Sequence, residues 1–334
     1  MSHTIIVGID GSANSRCALD WAIDHAKLTG AQLRLVAAYT VPGMNMSRAD
    51  IVYPADFDNS VKDSTRQLCE SAAEVARQAG VPVTTIVAVG DASGVLIDSS
   101  STADLAVVGA RGHGGFSGRL LGSVALAMPA HAHSPTVVIP STWPDRPAAD
   151  EHQPIDQPVR TSQDGPRVDA SQDSKERPDF TGQIVAGVDP FDTDSPVLRE
   201  AAVQAQLYGK PLHIVGVTAA HILSPEWLPS EEHLTKLYDE AAAADELAVA
   251  TLRDEFPDLD IRWSVFDAPA TEVLVSASQT ADQMIIGSRG RGGFVATLLG
   301  STSQGVLAHS LCPTRVVRVG RRAKADKHAK AAQG

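Results

Sequence analysis

The sequence has few aromatic residues, few cysteines and no long apolar run. Phe, Trp and Tyr make up 4 % of its 334 residues, so the core is expected to consist of Val, Ile, Leu and Ala. Such a core is typical of a parallel sheet that helices bury on both faces. The three cysteines, Cys17, Cys69 and Cys312, have no close spacing and fit neither a disulfide framework nor a metal site. We therefore expect reduced thiols in a cytoplasmic protein, and neither a secretion signal nor a membrane span is apparent.

The chain also has no excess of basic residues over acidic ones. Its formal net charge is −12, whereas a general nucleic-acid binder needs clustered Lys and Arg to contact phosphates. Residues 321–334 are an exception, with five basic residues and one acidic residue. An Ala- and Lys-rich terminus of this kind is predicted to be a solvated tail. Neither a nucleic acid nor a membrane is expected as a partner.

The sequence contains an internal duplication. Residues 5–10 (IIVGID) match residues 184–189 (IVAGVD), and ten of fifteen positions are identical between residues 109–123 and 287–301. The chain is also about twice the length of a typical domain of roughly 150 residues. We predict a first domain at 1–142, a linker at 143–180, a second domain at 181–320 and a tail at 321–334. The linker is expected to be flexible, because residues 141–180 contain six prolines and fourteen charged residues with few apolar ones.

Within each copy, short apolar runs alternate with segments of helical periodicity. Strands are predicted at 5–9, 32–38, 83–89, 104–108 and 136–139, and helices at 15–29, 59–79, 93–100 and 122–133. Their counterparts are strands at 184–188, 212–217, 261–266, 283–286 and 314–319, and helices at 195–208, 231–254, 270–279 and 300–310. Gly30 is predicted to stop the helix at 15–29. This alternation predicts an α/β fold of two tandem Rossmann-like domains with parallel sheets. In such sheets, ligands bind at the carboxyl ends of the strands.

A glycine-rich loop follows the fourth predicted strand of each copy. It contains Gly109, Gly112, Gly122 and Ser123 in the first copy, and Gly287, Gly290, Gly300 and Ser301 in the second. The first glycine would let the backbone turn close to a ligand, and the second would help to present amide groups to an anion. The last glycine and the serine open a helix, so that amides, helix dipole and hydroxyl can face a phosphate. The loop matches neither a Walker A loop nor the GxGxxG fingerprint, and its other interpretation is a structural turn.

The spacing G-x2-G-x9-G-S resembles the ATP-binding motif of the universal stress protein family, and IIVGIDGS resembles that family's first strand and turn. The resemblance implies a five-stranded parallel sheet in each domain, in the order 3-2-1-4-5, with helices on both faces. It also implies a homodimer, as for many members, and one ATP per domain, with or without Mg²⁺. The residues implied to bind ATP are Asp10, Gly11, Ala38, Gly109, Arg111, Gly112, Gly122, Ser123 and Val124, and Asp189, Val217, Gly287, Arg289, Gly290, Gly300, Ser301 and Thr302.

Several of these residues have a second interpretation. Asp10 would accept hydrogen bonds near adenine, or form an Asx turn or helix cap. Arg111 and Arg289 would neutralise phosphate charge or be solvated loop residues. In the second copy, Pro190-Phe191 replaces Gly11-Ser12, so its turn is not expected to make the same contacts. Pro129 is expected to kink the last helix of the first copy or end it early.

Two functional classes remain: a nucleotide-binding stress or signalling module, and a slow ATPase or ATP-dependent transferase. Efficient phosphoryl transfer needs a phosphate-binding Lys, a carboxylate that holds the metal and a group that orients the nucleophile. The loops contain no Lys, and no carboxylate follows the fourth strand. No Ser-His-Asp set or metal-ligand cluster is apparent either, so we predict a binding module with no catalytic residues.

Overall fold

The computed structural model describes residues 3–40, 57–112, 121–145, 158–161, 179–193, 195–218, 230–289 and 299–319. The predicted tail and most of the predicted linker lie outside these ranges. No helix in this part of the chain is long and apolar enough to cross a membrane.

Strands and helices alternate through both halves. The first half contains β1 (Thr4–Gly8), α1 (Ala13–Thr29), β2 (Gln32–Tyr39), α2 (Phe57–Gln78), β3 (Val83–Val89), α3 (Ala92–Ser100), β4 (Leu105–Gly109), α4 (Ser123–His131) and β5 (Thr136–Ile139). A short strand, β6 (Arg160–Thr161), follows. The second half contains β7 (Ile184–Val188), α5 (Pro196–Tyr208), β8 (Leu212–Thr218), α6 (Glu231–Glu255), β9 (Ile261–Asp267), α7 (Ala270–Ala277), β10 (Gln283–Gly287), α8 (Ser301–His309) and β11 (Thr314–Val317).

The strands form one sheet of eleven, in the order β3-β2-β1-β4-β5-β11-β10-β7-β8-β9-β6. Each half contributes five parallel strands in the order 3-2-1-4-5, which confirms the predicted fold class. The halves join where β5 and β11 pair antiparallel. The first and fourth strands of each half are neighbours whose crossovers leave in opposite directions, so their carboxyl ends frame a crevice.

Local sequence signals explain the bounds of the helices. The Ser12 hydroxyl caps α1 by accepting a hydrogen bond from the Ser15 amide at 3.1 Å. At the other end, Gly30 has a φ of 68°, which confirms it as the predicted stop. Helix α5 ends in the same way at Gly209, with a φ of 62°.

Helices cover both faces of the sheet. On one face, α3, α4, α7 and α8 pack over a single core cluster that spans both halves. On the other face, α1 and α2 cover a cluster in the first half, and α5 and α6 cover a separate cluster in the second. The sheet thus has apolar residues on both faces, as its Val- and Ile-rich strands predict.

Two features differ from the expectations. Arg160 and Thr161 lie in the predicted flexible linker, yet they pair antiparallel with Val265 and Ser264 of β9. Pro129 does not shorten α4, which continues to His131 and has the same nine-residue length as α8. A proline in the seventh position removes one hydrogen bond near the end of a helix, and here the helix tolerates it.

Candidate functional site

A cavity of about 500 Å³ lies at the carboxyl ends of β1 and β4. Its walls come from the ends of β1, β2 and β4, the first turns of α1 and α3, and the start of α4. Among the described residues that line it, the charged ones are Asp10 and Arg111. The remaining lining is small and mostly apolar, which leaves room for a ligand between one acidic and one basic group.

Most residues predicted for the first half line this cavity. They are Asp10, Ala38, Gly109, Arg111, Gly112, Gly122, Ser123 and Val124. Gly11 is not among the lining residues, and its φ of 81° instead shapes the turn after β1. Folding thus brings together residues separated by more than 100 positions in the sequence.

Asp10 forms the Asx turn that was one of its two interpretations. Its Oδ1 accepts a hydrogen bond from the Ser12 amide at 2.9 Å. The cap of α1 is Ser12 and not Asp10. Because Asp10 is exposed and also lines the cavity, the Asx turn holds the carboxylate at the cavity without consuming its second oxygen in that bond.

None of the described glycines of the first loop, Gly109, Gly112 and Gly122, has a positive φ, and close packing explains the first two. A Cβ on Gly112 would lie 2.5 Å from Oδ2 of Asp10. A Cβ on Gly109 would lie 2.8 Å from the backbone of Asn14 in the first turn of α1. At Gly122, by contrast, the nearest atom would be 3.4 Å away. Gly109 therefore serves protein packing and not only ligand approach.

Both glycine loops lead into helices whose first turns have no side-chain cap. Gly122 is the N-cap of α4 and Gly300 is the N-cap of α8, and neither can supply a capping side chain. Helices α1, α3, α5 and α6 are capped by a Ser or Asp side chain, whereas Pro269 before α7 also provides no cap. Ser123, Val124 and Ala125, in the first turn of α4, line the cavity. An uncapped helix start combines free N–H donors with the positive end of the helix dipole, which favours an anion.

In the second half, the carboxyl ends of β7 and β10 and the start of α8 have the same relative positions. Asp189, Val217, Gly287, Arg289, Gly300, Ser301 and Thr302 lie in this region. Gly290 lies outside the described residues. Oδ1 of Asp189 accepts a hydrogen bond from the Phe191 amide at 3.0 Å, which is the same Asx turn as in the first half. Pro190 was expected to keep this turn from making the same contacts as the first, yet the Asx bond is retained, because the bonded amide is that of Phe191.

The second turn still differs from the first. Gly11 has a φ of 81°, whereas a proline ring holds φ near −65°, so Pro190 cannot adopt the same backbone conformation. Helix α5 also starts later. With the offset of 179 between the copies, Ala13 corresponds to Asp192, which lies four residues before Pro196. Phe191 is 38 % exposed.

Hydrogen bonds also distinguish the second loop. The Ser303 hydroxyl donates to the carbonyl of Gly287 at 2.7 Å, and the corresponding residue of α4 is Ala125. The Ser288 hydroxyl accepts a hydrogen bond from the Val319 amide at 3.2 Å. These bonds tie the end of β10 to α8 and to the segment after β11.

A buried carboxyl group lies behind the Asp189 turn. Asp245 of α6 is 1 % exposed, and its Oδ2 has no hydrogen-bond partner among the described residues. This oxygen lies 2.9 Å from the position of a Cβ on Gly216, and the Pro190 Cβ lies 3.0 Å from the same position. Burial, and secondarily the charge of Asp189, raises the pKa of Asp245 to about 8. Asp245 is therefore mostly protonated at neutral pH.

The sequence analysis did not single out several residues of the first cavity. They are Gly8, Ile9, Ser15, Val36, Ala92, Leu96, Val108, Leu121 and Ala125. Most are apolar residues of predicted elements, so only their position at the carboxyl ends of the strands could have marked them. Asp245 was also missed, although an Asp among the buried positions of an Ala-rich helix is a visible signal.

Within the described ranges, no group of three or more His, Cys, Asp or Glu side chains is arranged to hold a metal ion.

The fold and the paired loops define a tandem α/β protein with a cavity at the carboxyl ends of β1 and β4, and comparison places it in a known family. Residues 1–140 and 181–318 match the universal stress protein family, so the chain belongs to that family. It is 30 % identical over 321 residues to universal stress protein Rv2623 of Mycobacterium tuberculosis, covering 94 % of this chain and 96 % of that protein. It is 28 % identical over 336 residues to Rv1996 of the same organism, covering 94 % and 95 %.

Solved structures agree with this fold. A universal stress protein from Archaeoglobus fulgidus superposes with a TM-score of 0.59 at 17 % identity, covering 96 % of this chain and 98 % of that chain. A functionally unknown protein from Pseudomonas aeruginosa, PA1789, gives a TM-score of 0.58 at 17 % identity, covering 100 % and 98 %. At these identities the likeness concerns the fold alone.

Proposed function

We propose that this protein is an ATP-binding stress-response or signalling module that binds one adenine nucleotide in each half and turns it over slowly. The observation that carries the proposal is the uncapped start of α4 at the cavity beside Gly109 and Gly112. Gly122 supplies no side chain to cap the first amides of this helix, and the start of the helix dipole adds positive potential. A phosphate chain would accept hydrogen bonds from these amides and carry the negative charge that the helix dipole favours.

The two ends of the cavity differ in a way that suits a nucleotide. Small apolar residues from β2 and α3, including Ala38 and Ala92, line one part, where a base can lie against them. Asp10 would accept a hydrogen bond from an adenine amino group or a ribose hydroxyl, because a carboxylate only accepts. Arg111 and the start of α4 would hold the phosphates.

The cavity fits a binding module better than a rapid phosphotransferase. Its described lining contributes one guanidinium group and one carboxylate, with no lysine. The carboxylate is held by the Asx turn at the end of β1. We therefore place Asp10 at the nucleoside and assign no general base or metal ligand in the first half.

Mass spectrometry of the small molecules released from the purified protein tests this function directly. We expect an adenine nucleotide to be retained, in an amount that approaches two per chain after saturation with ATP. The matched comparison is the chain carrying Gly112→Val and Gly290→Val, which should retain none while keeping its circular dichroism spectrum. Equal retention by the folded double variant would overturn the proposal.

A further inference from the structure

The surface where the two halves meet is symmetric in position but not in chemistry. Thr136, Val137 and Val138 of β5 pair with Val316, Arg315 and Thr314 of β11. With the offset of 178 between the copies, Val137 and Arg315 are equivalent residues, and they lie opposite each other. At the centre of the pairing, two equivalent residues therefore lie opposite each other, and this residue is Val in the first half and Arg in the second.

Arg315 is buried at this centre. It is 5 % exposed and forms an ion pair with Glu200 of α5. Gln204, one turn further along α5, donates to the same Glu200 oxygen at 3.1 Å. The cation of the second half is thus paired within its own half, although Nε of Arg315 has no hydrogen-bond partner among the described residues.

The first half offers a different set at the equivalent positions. With the offset of 179, Trp21 and His25 of α1 correspond to Glu200 and Gln204. The two rings stack with centroids 4.9 Å apart. Burial, together with the nearby Arg315, lowers the pKa of His25 to about 3, so its imidazole is neutral at neutral pH. The first half therefore places an uncharged aromatic pair at the positions where the second half has Glu200 and Gln204, and Asp24 of α1 is a nearby charge that acts on Tyr208.

Side-chain hydrogen bonds cross between the two halves. One runs from Nη1 of Arg318, after β11, to the carbonyl of Ala132 at 2.9 Å. Another joins α1 to α5. Nδ1 of His25 and the hydroxyl of Tyr208 are 2.7 Å apart. The counterpart of Tyr208 in the first half is Thr29, whose hydroxyl donates to the His25 carbonyl of its own helix. Two first halves in this arrangement would have no Tyr208 hydroxyl for His25.

We propose that this surface, formed by β5 and α1 in one half and β11 and α5 in the other, selects an unlike half as its partner and rejects a like half. Two second halves paired in the same register would place Arg315 opposite a second Arg315. Directly opposite residues of an antiparallel pair have Cα atoms about 4.5–5.5 Å apart, so two buried cations would face each other. Two first halves would lose the bond to Tyr208. The partner that fits is the other half of the same chain, or the other half of a second copy.

Substitutions at Val137 test the rejection in the full-length protein. Val137→Arg places a second guanidinium group opposite Arg315, on a half that has Trp21 in place of the Glu200 partner. Val137→Glu places an opposite charge there, and Val137→Met is the uncharged control. With Val137→Arg, we expect hydrogen exchange in β5 and β11 to be about tenfold faster than with Val137→Met, while β1 and β7 keep their protection. Val137→Glu should exchange more slowly than Val137→Arg. Equal rates for Arg and Met, or for Arg and Glu, would overturn the proposal.

Two further variants test selection itself without placing a charge in the first half. Tyr208→Phe removes only the hydroxyl and should accelerate exchange in both strands, whereas an unchanged rate would contradict its role. The double variant with Glu200→Gln and Arg315→Met removes both charges of the ion pair. After refolding at equal concentrations, this variant should form more cross-linked dimers joined through like halves than the native chain. Equal proportions in both would show that Arg315 does not confer selectivity.

Discussion

Oδ2 of Asp10 lies 2.5 Å from the position that a Cβ on Gly112 would occupy. The end of β1 and the glycine loop after β4 therefore pack closely against each other in the absence of a ligand. Oδ1 of the same carboxylate is held by the Ser12 amide, so the group cannot rotate freely to make room for a side chain at position 112. A side chain at position 112 would therefore displace the Asp10 carboxylate.

Gly112→Ala should weaken ATP binding at the first-half site by about fivefold. The added methyl group forces the Asp10 carboxylate to move, which removes one hydrogen bond to the nucleoside, worth about 1 kcal/mol. Equilibrium dialysis with labelled ATP measures the change, in a chain whose second site is removed by Gly290→Val.

Gly94→Ala in the same background is the matched control. Gly94 is not among the lining residues of the cavity, and the nearest atom to its Cβ would be 4.0 Å away, so we expect an affinity within about twofold of the parent chain. If the two alanine variants bind ATP equally well, the contact between Asp10 and residue 112 does not matter for binding.

The first half should bind ATP more tightly than the second. Pro190 cannot adopt the φ of 81° that Gly11 has, so Asp189 is held on a different backbone turn from Asp10 and is expected to make one hydrogen bond fewer to the nucleoside. One lost hydrogen bond corresponds to about fivefold in affinity. Calorimetry should therefore show tighter binding for the Gly290→Val chain, which keeps the first site, than for the Gly112→Val chain, which keeps the second.

Equal or tighter binding at the second site would refute this order. In the Gly112→Val chain, a loss of affinity on Phe191→Ala would indicate that this exposed ring stacks on the adenine, an interaction worth about 1 kcal/mol or more.

Asp245→Asn should make the protein more stable at alkaline pH. The pKa of Asp245 is raised from 3.8 to about 8, so the folded state holds a proton that the unfolded state has released. The stability contributed by the protonated group is fully present below pH 3.8, and it falls as the pH rises towards about 8. The difference in unfolding free energy between variant and native chain should grow over this interval, by up to about 1.4 kcal/mol per pH unit.

Chemical denaturation at several pH values measures this difference. Asp254→Asn, at an exposed position of the same helix, is the control and should show no such trend. A difference between the Asp245→Asn and native chains that stays constant from pH 5 to pH 9 would show that Asp245 is ionised in the folded protein.

The sequence predicted the alternating strands and helices well, because each element carries its own periodicity. Strand Val83–Val89 and strand Ile184–Val188 have the predicted bounds, and the glycine stop of α1 is confirmed. The join between β5 and β11 could not be predicted in this way. It depends on which edges meet in three dimensions, and the central Val137–Arg315 pair follows no local pattern. Strand β6 was missed for the same reason, since it is defined by its pairing with β9, which is distant in the sequence.

The site was predicted in part. The repeated loop and the first-strand Asp identified the polar and glycine lining of the first cavity, because their spacing follows from the chemistry of phosphate binding. The apolar wall supplied by Ala92 and Leu96 of α3 was missed. Apolar residues of a helix carry no sign of which cavity they line. The packing of Gly109 against Asn14 also needs the tertiary structure, because 95 residues separate them.

ATP hydrolysis should be slower than about one turnover per minute with Mg²⁺ present, far below the median enzyme rate of about 10 s⁻¹. The reason is that no lysine lies among the described lining residues of the first cavity and its carboxylate is engaged in an Asx turn. Phosphate release over hours, measured on the native chain, tests this rate. A rate near 1 s⁻¹ that is abolished by Ser123→Ala with Ser301→Ala would establish an enzyme instead.

Native mass spectrometry of the full-length chain titrated with ATP tests the central claim most directly. We predict complexes with one and then two nucleotides per chain, with the first lost selectively when Gly112 is changed to Val. The chain carrying both Gly112→Val and Gly290→Val should remain free of nucleotide. No complex with the native chain at millimolar ATP, or undiminished binding by the folded double variant, would contradict the account.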